Sequence, residues 1–99
     1  MVVFRRLLGD VLRARRLEQG LTLRELSTEA RVSLGYISEI ERGHKEASSE
    51  LLASLCGALD LRLSEVLSAA SVAAAVEEAA TAPTPLRPAS KSGAVASAA

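Results

Sequence analysis

Arg5, Arg6, Arg13, Arg15, Arg24, Arg31, Arg42 and Lys45 are the side chains of this sequence best suited to chemistry, and that chemistry is contact with phosphate. Overall basicity does not explain them, because the formal net charge is zero. Their placement is more informative. Within residues 1–20 five Arg stand against Asp10 and Glu18, whereas within residues 49–67 Arg62 stands against Glu50, Asp60 and Glu65. A chain with one basic end and one acidic segment can turn a single side towards a polyanion. Any one Arg is more often solvated than in contact, so the set carries the argument.

Other reactive residue types are sparse. Cys56 is the sole cysteine, which excludes an internal disulfide. Its context, Ser-Leu-Cys-Gly-Ala-Leu, reads as a helix interior and as core, with redox sensing the minority reading. His44 is the sole histidine and reads as a solvated or phosphate-side residue. No second His or Cys group completes a metal site. Ser33 and Ser38 have no further His to activate them as nucleophiles. The sequence supports neither an enzyme nor a bound cofactor.

The elements that must position the cations are helices. Ninety-nine residues make one domain. The large aliphatic side chains crowd into residues 7–67, so the core is expected there. Leu7, Leu8, Val11 and Leu12 recur at helical spacing and predict a first helix over roughly residues 4–19, closed by Gly20. Thr22-Leu-Arg-Glu25 is a capping box for a second helix, Leu23 to about Ala30. Ser33 caps a third, Leu34 to about Glu41, with Ile37 and Ile40 inward and Gly43 at its end. Ser48 or Ser49 starts a fourth, whose apolar face is Leu51, Leu52, Leu55, Cys56 and Leu59. Leu61 fills the corner before a fifth helix that begins near Leu63.

The fifth helix carries two apolar stripes. Leu63, Val66, Leu67, Ala70 and Ala74 form one, and Ala69, Val72, Ala73, Val76 and Ala80 form the other. One stripe can pack on the bundle. The second, small and apolar, suits close approach of another helix, so Val72, Ala73 and Val76 are the candidate dimer interface. Pro83, Pro85 and Pro88 then break the pattern. The expected domains are residues 1–80, a helical unit with a C-terminal dimerisation helix, and residues 81–99, a disordered Ala/Pro-rich tail. No stretch of about 18 apolar residues is present, and no leader is read before the first helix, so a soluble cytoplasmic chain is expected.

Two short helices, Leu23–Ala30 and Leu34–Glu41, joined by about three residues, are a helix-turn-helix arrangement. The run G20-L-T-L-R-E-L-S-T-E-A-R-V-S-L-G-Y-I-S-E-I-E-R-G43 resembles the phage-repressor-like Cro/C1 (XRE) helix-turn-helix family. Leu55, Ala58-Leu59 and Glu65-Val66-Leu67 continue the likeness over about two-thirds of the chain. The segments Arg5-Arg-Leu-Leu-Gly-Asp10, Val32-Ser-Leu-Gly-Tyr-Ile-Ser-Glu39 and Glu41-Arg-Gly-His-Lys-Glu-Ala-Ser-Ser-Glu-Leu-Leu52 look like the Clp gene regulators of actinobacteria. The resemblance implies an all-α, five-helix phage-repressor-like bundle and a transcriptional activator of Clp protease and stress genes. It also implies a homodimer on a pseudo-palindromic duplex, since two-fold protein symmetry reads two half-sites.

The same resemblance places residues in roles. Leu34, Gly35, Tyr36, Ser38 and Glu39 lie on the helix that would enter the major groove and are the base-contacting candidates. Glu39 can accept from cytosine N4 and Leu34 can touch a thymine methyl. The competing reading is that Tyr36 covers the core and Glu39 is merely solvated. Arg31, Arg42 and Lys45 are the first phosphate candidates, followed by Arg24 and Ser33. Arg16 and Glu41 stand where the family holds a buried ion pair. Activation would require RNA polymerase, through exposed acids such as Glu29. The final Ala98-Ala99 resembles C-terminal signals that Clp-type proteases engage, against the plainer reading of an inert tail. The alternative functions are a repressor, or an antitoxin or adaptor module that uses the same fold to bind protein.

Overall fold

The structure is a computed structural model that describes residues 2–81, and every regular element among the described residues is a helix: α1 (Phe4–Glu18), α2 (Leu23–Ala30), α3 (Leu34–Glu41), α4 (Ser49–Ala58) and α5 (Leu63–Thr81). Local chemistry sets most of these boundaries. Thr22 Oγ1 accepts from the Glu25 amide at 3.0 Å, and Glu25 Oε1 accepts from the Thr22 amide at 2.8 Å. This reciprocal box satisfies amide donors that a helix start leaves without intrahelical partners. Ser33 Oγ accepts from the Tyr36 amide and Ser48 Oγ from the Leu51 amide, each at 3.2 Å, which starts α3 and α4. Glu65 reaches back to the Arg62 amide at 2.8 Å before α5.

The core is one aliphatic cluster. Leu12, Leu26, Ile37, Ile40, Leu55, Leu59 and Val66 are its fully buried large side chains, so all five helices and the residue that ends α4 contribute. Cys56 is buried in the same cluster, and burial pushes its thiol pKa up, which keeps the sulfur protonated and unreactive.

α1 packs on α3 and along α5, while α2 packs on α3 and α4. The α1–α3 crossing is close. A Cβ added at Gly9 would lie 2.4 Å from the Ile40 carbonyl oxygen and 2.7 Å from that of Glu41. Only a residue without a side chain lets the two backbones meet there.

Two expectations about α5 are corrected. Thr81, expected to open the tail, is the last residue of the helix. The packing face also lies between the two stripes read from sequence. Val66 and Ala70 are buried, Ala73, Ala74 and Glu77 are half-buried, and Leu63 and Leu67 stay exposed. In an Ala-rich helix nearly every position is apolar, so periodicity alone does not select one face. The remainder of the tail, with Ala98 and Ala99, lies outside the described residues. No described helix is long and apolar enough to cross a membrane.

Candidate nucleic-acid interface

The site is assembled from α2, the turn Arg31–Ser33, and the outer face of α3. The turn depends on an unusual backbone. Arg31 takes φ 58, ψ 44, a left-handed conformation that costs a non-glycine residue on the order of 1 kcal/mol. Ser27 holds the turn: its carbonyl accepts from the Val32 amide at 3.2 Å, and its hydroxyl donates to the Val32 carbonyl at 2.5 Å. The Arg31 side chain is exposed, and neither it nor Arg24 or Lys45 makes a side-chain hydrogen bond or ion pair among the described residues. These three cations are therefore free to meet an anion.

On α3, Leu34, Ser38 and Arg42 stack at i, i+4 spacing, with Gly35 and Glu39 forming the adjacent row. Leu34, Gly35 and Arg42 are exposed, and Ser38 and Glu39 are half-buried. A Cβ at Gly35 would meet nothing within 4 Å, so this glycine leaves the outer face bare rather than serving a tight contact within the protein. Ser33 is exposed at the same end, its oxygen engaged as the cap. The opposite side of α3 buries Ile37, Ile40 and Glu41.

Two base-contacting candidates carry intramolecular bonds. The Tyr36 ring packs on the core, and its hydroxyl donates to the Glu46 carbonyl at 2.9 Å, tying α3 to the loop before α4. The Glu39 carboxylate is paired with Arg42, and His44 Nδ1 lies 3.2 Å from it. The Arg42 guanidinium, with His44 beside it, holds the Glu39 carboxyl below the usual carboxylate range. Arg42 and Glu39, assigned separate roles from sequence, thus form one unit in the free chain.

Behind this face the helix is locked. Arg16 grips Glu41 bidentately, Nε to Oε2 at 2.7 Å and Nη2 to Oε1 at 3.0 Å, and its third nitrogen donates to the Leu21 carbonyl at 2.9 Å. Both side chains of the pair are at least nine-tenths buried, at 10% and 5% exposure. Arg5 Nε donates to the Gly43 carbonyl at 2.9 Å, just past α3.

Three of the cations read from sequence as phosphate candidates therefore work inside the fold. Arg5 caps the end of α3. Arg6 pairs with Asp10 and Glu77. Arg15 donates to the Leu59 carbonyl at 3.1 Å and the Asp60 carbonyl at 2.9 Å, closing the end of α4. Sequence reasoning missed Arg5, Ser27 and Gly9 as positioning residues. Of these, only Gly9 left a signal, as an isolated glycine inside a helical pattern.

This arrangement defines the class of protein: the chain belongs to the helix-turn-helix family, whose profile matches residues 12–66. Within it, the likeness is to Clp gene regulators, as the sequence motifs imply. The chain is 67% identical over 63 residues to the transcriptional regulator ClgR of Mycobacterium tuberculosis, a match that spans 64% of this chain and 56% of that protein. It thus covers little more than half the length of that curated relative. The crystal structure of the clp gene regulator ClgR from Corynebacterium glutamicum superposes with a TM-score of 0.76 at 49% identity, over 80% of this chain and 84% of that one. The restriction-modification controller protein C.AhdI from Aeromonas hydrophila matches at a TM-score of 0.61 and 27% identity, over 63% of this chain and 94% of that one.

Proposed function

We propose that this chain is a sequence-specific DNA-binding transcriptional regulator, acting in the cytoplasm as a homodimer and activating genes of the Clp protease and stress response. The observation that carries the DNA-binding part is the exposed start of the outer face of α3, Leu34 and Gly35, together with the exposed Arg24, Arg31 and Lys45, which make no side-chain hydrogen bond or ion pair among the described residues. In this reading α2 braces across the phosphates and the N-terminal part of α3 enters the major groove. Leu34 and Gly35 meet base edges first. Ser38 lies behind them, Tyr36 flanks the row, and Glu39 accepts from cytosine once Arg42 turns to a phosphate. Ser33 donates its hydroxyl proton to a phosphate oxygen of the duplex while its oxygen still caps α3.

Homodimerisation is supported by Val72 and Val76, exposed at 64% and 65%, with Ala73 at the edge of the same face. The activating role, and contact with RNA polymerase through acids such as the exposed Glu29, rest on the likeness to the two Clp gene regulators.

Arg31→Gly is the sharpest test of DNA binding. Glycine accepts the left-handed turn without strain, so the fold is kept while the guanidinium is lost. Duplex affinity of the wild-type chain should fall steeply with salt, and that of Arg31→Gly should be weaker on every sequence with a shallower salt slope. An affinity that is flat from low to moderate salt would refute groove docking.

A further inference from the structure

The distal half of α5 is held in an unusual way. Before it, Val66 and Ala70 sink into the core. From residue 71 to residue 80 no side chain is buried, and only Ala73, Ala74 and Glu77 are half-buried. Alanine buries little area, so the apolar effect alone positions this stretch weakly. A specific contact ties it to α1: the ion pair between Glu77 and Arg6.

Arg6 also belongs to the mount of the recognition helix. A Cβ added at Gly43, where φ is +77, would lie 2.9 Å from Arg6 Cα and 3.1 Å from Arg6 Cβ. The preceding residue, Arg5, bonds the Gly43 carbonyl. One turn further along α1, Gly9 abuts the last carbonyls of α3. The first turns of α1 are therefore pressed on the end of α3 by backbone contact, and the same turns hold the far end of α5 by a side chain. Val72 and Val76 stand on that far half.

We infer that Arg6 and Glu77 are positioning residues that couple the dimer helix to the recognition helix and so set the spacing between half-sites that the dimer accepts. This rests on the DNA-binding, homodimeric reading above. If the distal half of α5 pivots relative to α1, the two recognition helices of a dimer change separation and phase. Neither residue is asked to touch DNA or the partner subunit. The Arg6 guanidinium is engaged by Asp10 and Glu77 rather than turned to the α3 face.

The test is spacing preference, which a general loss of stability would not alter selectively. An inverted-repeat duplex is selected from random-sequence DNA with the wild-type chain. Variants with one base pair added or removed between the half-sites, and a single half-site duplex, are then compared. Wild type should prefer its selected spacing by about tenfold, because each added base pair both shifts and rotates one half-site. Glu77→Gln and Arg6→Gln should each reduce that preference to about twofold, with single half-site affinity unchanged and the dimer retained in sedimentation. Glu77→Gln removes the pair while keeping the Arg6 cation, so its effect is not a lost phosphate contact. Variants that keep the wild-type spacing preference would overturn the coupling alone. A wild-type chain that selects no duplex would overturn it together with the reading on which it rests.

Discussion

The α1–α3 junction and the distal half of α5 are two contacts made by the same helix, and they are built in opposite ways. At the junction, backbone meets backbone at Gly9 and Gly43, a bidentate ion pair is buried between Arg16 and Glu41, and Arg5 satisfies a carbonyl past the helix end. Along α5 beyond Ala70, the half-buried positions are Ala73, Ala74 and Glu77, and Glu77 pairs with the half-exposed Arg6. α3 is thus held by several independent constraints. The outer part of α5 meets α1 through small side chains and that ion pair, and it carries the exposed valines. A surface left apolar and weakly anchored in the single chain suits an element whose remaining contacts come from a second copy.

The largest effect should come from breaking the junction's charge pair. Arg16→Ala and Glu41→Ala each leave a buried charge without its partner, which costs about 3–5 kcal/mol. Chemical denaturation should show each loss, with the double variant losing less than the sum of the singles. Strict additivity would mean that the two side chains act separately.

Gly9→Ala ranks next. The added methyl meets backbone oxygens, which cannot rotate aside, so the cost should reach about 3 kcal/mol, the upper part of the range for overpacking. The same denaturation series would show it, and a change below about 0.5 kcal/mol, the size of an ordinary surface substitution, would mean that α1 and α3 are free to separate.

On the weakly held side, Val76→Arg should change folding stability by no more than about 0.5 kcal/mol, because the side chain is exposed in the single chain. It should nevertheless yield monomers in sedimentation and weaken binding to a two-half-site duplex. A variant that stays dimeric would move the interface to the exposed Phe4 or to α4.

The smallest effect lies on the outer face of α3. Because Arg42 depresses the Glu39 pKa, the pair contributes stability above the carboxylate's unfolded-state pKa and loses it as pH falls through the lower folded-state value. Carboxyl NMR should give a midpoint for Glu39 below the ordinary glutamate range, and Arg42→Ala should move it upwards. An unchanged midpoint would show that the pair is absent in solution.

Sequence by itself determined the local structure. Thr22 with Glu25, Ser33, and Gly43 name their helix ends, because caps and positive φ depend on residues within one turn. The span of α2 and α3 and the inward positions Leu26, Ile37 and Ile40 were legible from period alone. The family likeness also pointed to Arg16 and Glu41, which the structure joins.

Only the tertiary structure decided which cations remain available. Arg5, Arg6, Arg15, Arg24 and Arg31 look alike in a sequence. Three of them spend their donors on carbonyls or carboxylates 38 to 71 residues away, and two make no side-chain bond among the described residues. It also decided that Glu39 and Arg42 form a unit, that Gly9 is a contact point, and which line of alanines on α5 is buried. The physical reason is range. Capping and helical periodicity are written in neighbouring residues, whereas a guanidinium's partner is set by whichever distant backbone the packed helices bring within its reach.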